Sequence, residues 1–344
     1  MQNPYTLTFG KEPVEYIKRI TEEHQIFEDF LSPNPSQQVY MISGVRGCGK
    51  TVFMTDVSQE LGKDKDWIVV DLNSNKPDLM QEAAAYLSSI QSLAQIFQSA
   101  KLNFSLFGFG LEVSNAAPIA DIQVALERMI EQLAKHHKKI LFTIDEVTVS
   151  PQIKSFTFAI QQMLRKNAPV FLLMTGLYQN ISDLQNEKNL TFLYRAPKII
   201  LSPLNIGAMA DNYRRNIKLT PDDAREMARL TKGYSFAFQV VGYFLWKDPG
   251  DFTNAIRQSK QYLEEQSYEK IWSELSAKDR EVAGAIAKCP SGSIREIKEF
   301  LHIEQNELNP YRTRLIRKGI VDGSVRGYLT FSLPFFYDFV LDNL

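Results

Sequence analysis

Apolar residues fall into two kinds of pattern along this chain. Short, mostly apolar runs occupy residues 39–43, 67–72, 140–144, 170–174 and 196–201. A run that is apolar on both faces reads as a strand buried from both sides, as in a parallel sheet. Between the runs lie stretches of helical composition or spacing, at about 50–61, 79–100, 119–137 and 153–166. Strands alternating with helices predict a parallel sheet with helices on both faces. Ahead of the first run, Val14, Ile17, Ile20 and Phe27 suggest a helix with Pro13 in its first turn. The run Ser32-Pro33-Asn34-Pro35-Ser36 ends it, because proline cannot continue a helix.

Two segments break this alternation. Leu102, Phe104 and Leu106, then Phe109, Leu111 and Val113, alternate around Phe107-Gly108, which predicts a hairpin insertion at about 102–113. After Pro203 the pattern turns helical, at 206–217, 221–231, 236–246 and 252–275. The last seventy residues read as a winged helix. Helices are expected at 277–287, 293–301 and 306–318. Ser293 and Glu296 form a capping box, Gly319 closes the third helix, and 320–331 forms the wing hairpin. The stretch Phe331-Ser332-Leu333-Pro334-Phe335-Phe336 reads as core. The expected division is therefore a core at 1–204, a helical lid at 205–274 and a winged helix at 275–344.

The first chemistry lies between the first strand and its helix. Gly44-Val45-Arg46-Gly47-Cys48-Gly49-Lys50-Thr51 matches GxxxxGK[ST]. Glycines let backbone N–H groups converge on phosphate oxygens where side chains would obstruct them. Lys50 would reach the β- and γ-phosphates and Thr51 would take a magnesium position. Gly44, Arg46, Gly47, Cys48, Gly49, Lys50, Thr51 and Val52 are the expected nucleotide-contacting residues. The fold class is thus an α/β P-loop NTPase with a parallel five-stranded sheet, a helical lid and a C-terminal winged helix.

About 95 residues downstream, Asp145-Glu146 follows the run 140–144. A strand ending in two carboxylates presents both at the carboxyl edge of the sheet, where such folds bind ligands. Asp145 would hold magnesium, and Glu146 would orient and polarise the attacking water. Thr175 ends the next strand and can contact the γ-phosphate or the water, or else cap a helix. Arg195 precedes the fifth strand and would act in trans on a neighbour's γ-phosphate, or else form a surface ion pair.

Composition narrows the field. The 344 residues carry 39 Lys+Arg against 40 Asp+Glu, a net charge of −1, which excludes a globally basic nucleic-acid coat. Two cysteines, Cys48 and Cys289, make no disulfide framework, and the four histidines form no metal-ligand spacing. No apolar run approaches the ~20 residues of a membrane span, and the N-terminus lacks a signal-peptide pattern. The expectation is a soluble, cytoplasmic protein with no membrane partner.

The phosphate loop, the Asp-Glu strand, the Thr-ending strand, the Arg before the last strand and the helical lid resemble AAA+ ATPases. More narrowly they resemble origin-recognition-like and archaeal-type ATPases, bordering on the STAND signalling NTPases. A start such as Tyr5-Thr6-Leu7-Thr8-Phe9-Gly10, Gly176-Leu177, and Thr191-Phe192-Leu193-Tyr194-Arg195-Ala196 resemble a group of bacterial ATP-binding proteins. The resemblance implies ATP or ADP with Mg2+, slow ATP hydrolysis, a homo-oligomer, and an adenine pocket near residues 5–10. The lid segment Thr231-Lys232-Gly233-Tyr234-Ser235-Phe236 departs from both groups, lacking the arginine of origin-recognition relatives and the Gly-x-Pro of STAND proteins. Lys232 is a substitute for the missing sensor, or a solvated helix-end lysine.

In a DNA-binding winged helix the third helix enters the major groove and the wing touches phosphates. Arg312, Arg314, Arg317, Lys318 and Arg326 are the cations placed for duplex DNA. The module holds ten basic and nine acidic residues, however, so no strong basic surplus marks it. Two functions stay open: an ATPase coupled through the winged helix to DNA, and a STAND-like slow switch whose winged helix docks on protein.

Overall fold

The computed structural model describes residues 2–8, 13–108 and 116–344. The chain forms two compact units that do not follow linear order. One comprises Ile20–Ser43 and Phe53–Ile200; the other comprises Met1–Arg19, Gly44–Val52 and Leu201–Leu344.

The first unit is the α/β sheet. Its elements are α1 (Ile20–Phe30), β1 (Val39–Ser43), most of α2 (Lys50–Gly62), β2 (Trp67–Leu72), α3 (Leu79–Ser89), α4 (Gln91–Ser99) and α5 (Ile122–Lys135). There follow β3 (Lys139–Ile144), α6 (Pro151–Arg165), β4 (Val170–Gly176), α7 (Tyr178–Gln185), α8 (Thr191–Arg195) and β5 (Lys198–Ile200). All five strands are parallel, in the order β2-β3-β4-β1-β5. The central strands β1 and β4 are buried at every position, which is why their sequences VYMIS and VFLLMTG carry no polar alternation. Helices start on chemistry visible in the sequence: Asp78, Asp121 and Ser150 each accept a backbone N–H at the head of α3, α5 and α6.

Four expectations are corrected in this unit. The first helix starts at Ile20, not near Pro13. Val14 is 80% exposed and Ile20 71% exposed, so they form no apolar face. Residues 13–19 are taken up by the other unit instead, where Gln239 donates to Glu15 O at 2.6 Å. The stretch 79–100 is two helices, because Ile90 is extended at φ −79°, ψ 111°. The expected hairpin starts with no strand. Leu102 and Phe104 are buried, Ser105–Phe107 is a 3-10 turn, and Asn103 ties back to Ala116 O at 2.8 Å and Ile119 N at 3.0 Å. Residues 109–113 of it lie outside the described residues. Finally, α7 and α8 were not expected.

The second unit is helical, with a small antiparallel pair of strands. Its elements are α9 (Ile206–Ile217), α10 (Pro221–Leu230), α11 (Ser235–Lys247), α12 (Phe252–Leu263), α13 (Glu269–Ser273), α14 (Ala277–Lys288), α15 (Ile294–Leu301), α16 (Gln305–Arg317), β6 (Val321–Asp322), β7 (Thr330–Phe331) and α17 (Phe336–Asp342). The single helix expected at 252–275 is interrupted by a π-helical turn over Glu264–Tyr268. The wider turn buries Ser267 and Tyr268, and the Tyr268 hydroxyl reaches Pro334 O at 2.5 Å. Three helices and then the β6–β7 pair follow the expected order at 277–331. The capping box expected at Ser293 is absent; Ser291 takes Glu296 instead, at 2.6 Å. Phe331, Leu333 and Phe336 are core, as expected. The N-terminal segment around Tyr5 is bound here too. Tyr5 is 2% exposed between Tyr213 and Phe238, and its hydroxyl donates to Asn212 Oδ1 at 2.7 Å. Phe9 and Gly10, expected near an adenine pocket, lie outside the described residues.

Candidate nucleotide-binding site

The phosphate-loop sequence folds into a tight loop through two left-handed glycines. Gly47 lies at φ +76° and Gly49 at φ +91°, a region costly for residues with a Cβ. A Cβ on Gly47 would also come within 2.4 Å of the Tyr234 hydroxyl. Lys50 and Thr51 open α2, so its first N–H groups follow directly on the loop. The Lys50 ammonium donates to Gly44 O and Val45 O, both at 3.1 Å. Cys48 is buried with a free thiol, and Val52 is half-buried in the first turn of α2.

The Arg46 guanidinium turns toward the C-terminal half of the same unit, where it pairs with Glu274 at 3.2 Å. Val45 packs against the same hydrophobic cluster as α14–α17. A Cβ built on Gly319 would sit 3.2 Å from Val45 Cβ.

Three consecutive carbonyls of the loop are bonded from the start of α11. The Tyr234 hydroxyl donates to Arg46 O at 2.7 Å, Phe236 N to Gly47 O at 3.1 Å, and Ser235 Oγ to Cys48 O at 2.8 Å. Arg19, 8% exposed, adds a second donor to Cys48 O at 3.1 Å and bonds Ser202 O at 2.6 Å. Sequence reasoning missed Tyr234, Ser235, Arg19 and Glu274 as loop partners. Only the departure of Gly233-Tyr234-Ser235 from the lid patterns of relatives hinted at the first two.

In the sheet unit, Asp145, Glu146 and Thr175 come together. The buried Thr175 hydroxyl donates to Asp145 Oδ1 and accepts from Glu146 N at 3.2 Å. The Thr175 carbonyl accepts from Val147 N at 2.8 Å. Thr175 therefore sits inside β4 rather than capping a helix. Glu146 is held at φ +53°, with its carboxylate exposed. Arg195 ends α8, exposed, with no ion pair to a described residue.

The five cations expected to face DNA differ in what holds them. Arg314 is committed to structure: both Nε and Nη2 reach Oδ1 of Asp279, itself 1% exposed, at 2.8 Å. Lys318 donates to Glu274 O at 3.2 Å. Arg312 is half-buried, with its Nε buried, whereas Arg317 and Arg326 are exposed. Lys232 is not simply solvated: its ammonium donates to Phe331 O at 2.9 Å, and burial lowers its pKa.

Among the described residues no group of three or more His, Cys, Asp and Glu would hold a metal unaided. The Thr51 hydroxyl at the head of α2 and the Asp145 carboxylate after β3 are each, taken singly, of a ligand type that Mg2+ accepts. Among the described residues no helix is long and apolar enough to cross a membrane.

Comparison with solved structures shows the fold. A Walker-type ATPase of Pyrococcus abyssi matches with a TM-score of 0.65 at 16% identity, over 95% of this chain and 96% of that one. The ORC2 protein of Aeropyrum pernix, in its ADPNP–ADP complexes, matches with a TM-score of 0.61 at 15% identity, over 98% and 96%. Its ADP form matches at 0.51 and 13%, over 97% and 96%. The fold is that of archaeal ORC-like P-loop ATPases. A family model described as a domain of unknown function (DUF8462) matches residues 265–340. No curated protein matches the chain.

Proposed function

We propose that this chain binds and slowly hydrolyses ATP, and that its nucleotide state is coupled to a winged helix at 275–344. The observation that carries the reading is the phosphate loop itself. Two left-handed glycines and the Lys50-Thr51 pair follow a fully buried parallel strand and open a helix. The described complexes of the Aeropyrum pernix protein, with ADPNP and ADP, support nucleotide of this class.

In this reading Gly44, Arg46, Gly47, Cys48, Gly49 and Val52 surround the phosphates, and Lys50 neutralises their charge. Thr51 and Asp145 would hold Mg2+, which would supply charge neutralisation to the phosphates. Glu146, its carboxylate exposed, orients the water and takes its proton. Thr175 fixes the backbone that carries both carboxylates. Arg195, exposed on α8, reaches the γ-phosphate of a second copy. The core is 1–204 and the lid 205–274.

One observation favours a second reading of the module. Glu274 on Arg46, and Gly319 against Val45, put residues flanking and within the module on the phosphate loop. This supports a switch in which the module docks on protein. Arg314, spent on Asp279, also weakens the DNA surface offered by Arg312, Arg317, Lys318 and Arg326.

The test is ATP turnover of wild type and Glu146→Gln, with and without duplex DNA, with oligomeric state followed in the same samples. Glu146-dependent turnover that rises with DNA in an oligomer supports the DNA-linked ATPase. Negligible turnover, no response to DNA and retained ADP in a monomer sink it and favour the switch.

A further inference from the structure

We infer that Tyr234 and Ser235 are positioning residues that aim the phosphate-loop amides by holding its carbonyls from behind. The inference rests on the loop being the nucleotide site.

The physical basis is the planarity of the peptide bond. In a trans peptide the C=O of one residue and the N–H of the next point in opposite directions. Whatever fixes Arg46 O therefore fixes the Gly47 N–H, and likewise Gly47 O with the Cys48 N–H and Cys48 O with the Gly49 N–H. All three carbonyls are bonded by residues 234–236, and Arg19 bonds the last of them again. Such a loop needs restraint. Two of its residues sit at positive φ, and each glycine loses more conformational freedom on ordering than other residues do. Without anchors, ordering the loop would be deferred to ligand binding and would weaken it.

The proton arrangement is determined. Arg46 O only accepts, so the single phenolic proton of Tyr234 is spent on it. The Ser267 hydroxyl, 3.0 Å from Tyr234 Oη, must then donate its own proton to that oxygen. The line runs from the loop through Tyr234 to Ser267 in the π-helical turn, with Tyr234 and Ser267 both buried. Burial raises the pKa of the phenol above its ordinary value, so it is a donor at neutral pH. The tight fit is mutual: the hydroxyl lies 2.4 Å from where a Cβ on Gly47 would be, so this contact as well as its φ favours glycine at 47.

The experiment uses the full chain as wild type, Tyr234→Phe, Ser235→Ala, Ser235→Thr and Lys50→Ala. Affinities for Mg-ADP and Mg-ATP are measured by calorimetry, the melting temperature without nucleotide by scanning calorimetry, and KM and kcat for ATP where turnover is measurable. Losing one anchoring hydrogen bond should weaken both nucleotides by about five- to tenfold in Tyr234→Phe and in Ser235→Ala. Ser235→Thr, which keeps a hydroxyl, should restore wild-type affinity. KM should rise with the dissociation constant while kcat stays within about twofold, because uniform binding is lost and not the chemical step. A role in stability alone would lower the melting temperature and leave the affinity of the folded protein unchanged. Affinities within twofold of wild type in both Tyr234→Phe and Ser235→Ala overturn the inference, as does a Ser235→Thr variant as weak as Ser235→Ala. If wild type binds no nucleotide, or Lys50→Ala binds as wild type does, the reading of the loop as the nucleotide site fails, and the inference with it.

Discussion

The Thr175 hydroxyl donates to the Asp145 carboxylate and accepts from the backbone N–H of Glu146. One side chain on β4 thus fixes the turn that carries both acidic residues of the adjacent strand. Its role is to act through them. Thr175→Val keeps the shape but removes both bonds, and should lower ATP turnover about tenfold to a hundredfold, the scale of a small misplacement of catalytic groups. Thr175→Ser should retain most of it. Steady-state turnover alongside a Mg2+ titration checks this. Equal activity of Thr175→Val and wild type would remove Thr175 from the site.

Glu146 occupies the left-handed region at φ +53°, which costs a residue with a Cβ roughly 1–2 kcal/mol. Strain of this kind persists at sites where function requires it. Glu146→Gly should therefore melt no lower than wild type while losing turnover. Glu146→Val, β-branched in the same conformation, should lose turnover and melt lower. Thermal melts of the two variants, compared with wild type, decide it; a Glu146→Gly protein less stable than Glu146→Val would contradict the conformational argument.

How far these features were legible depends on how local their causes are. β1 and β4 announce themselves because burial on both faces leaves no polar alternation in the run, Ser43 and Thr175 falling at or near the strand ends. The phosphate loop is legible because its glycines and Lys50-Thr51 are consecutive. Helices α7 and α8 were invisible because neither Leu177 nor Leu190 offers a side-chain cap, and both helices are short. The π turn in 252–275 escaped because it keeps the chain helical and breaks no composition pattern. Residues 102–106 alternate, but the alternation comes from a buried Leu102 and Phe104 beside a 3-10 turn, not from a strand. The hold on the loop by Tyr234 joins residues 188 apart in sequence, and no local pattern can carry such a contact.

Arg314 and Asp279 tie α16 to α14. The carboxylate is 1% exposed and the arginine side chain 39%. Removing the arginine leaves a buried charge unpaired. Arg314→Ala should cost about 2–3 kcal/mol, toward the low end for a buried pair because the arginine is partly solvated. Arg326→Ala, at an exposed position between β6 and β7, should change stability by less than about 0.5 kcal/mol. Urea unfolding of both variants separates them. Any DNA effect of Arg314→Ala has to be judged against this loss, so Arg326 is the cleaner probe of a DNA surface. Equal stability of the two variants would show that the Arg314 pair contributes nothing.

Glu264 gives the fold a pH dependence with a definite sign. It opens the π-helical turn with Oε1 buried and without a hydrogen-bond partner among the described residues, and burial raises its pKa above the ordinary glutamate value. Lys260 pulls the pKa down, while Asp342, Asp338 and Glu265 push it further up. The folded state therefore holds this proton more tightly than the unfolded chain does. Between the ordinary glutamate pKa and the raised one, folding takes up protons, so stability falls as pH rises through that window. Above it the carboxylate is charged in both states, and the loss is complete. Glu264→Gln keeps the shape and removes the charge. Its melting temperature should exceed that of wild type at pH 7, and the gap should shrink as the pH is lowered through the glutamate range. Melting curves of the two proteins from pH 4 to pH 8 test this, since all other carboxylates are common to both. A gap that is constant across that range, or one that widens toward acid, would mean that Glu264 is not the group responsible.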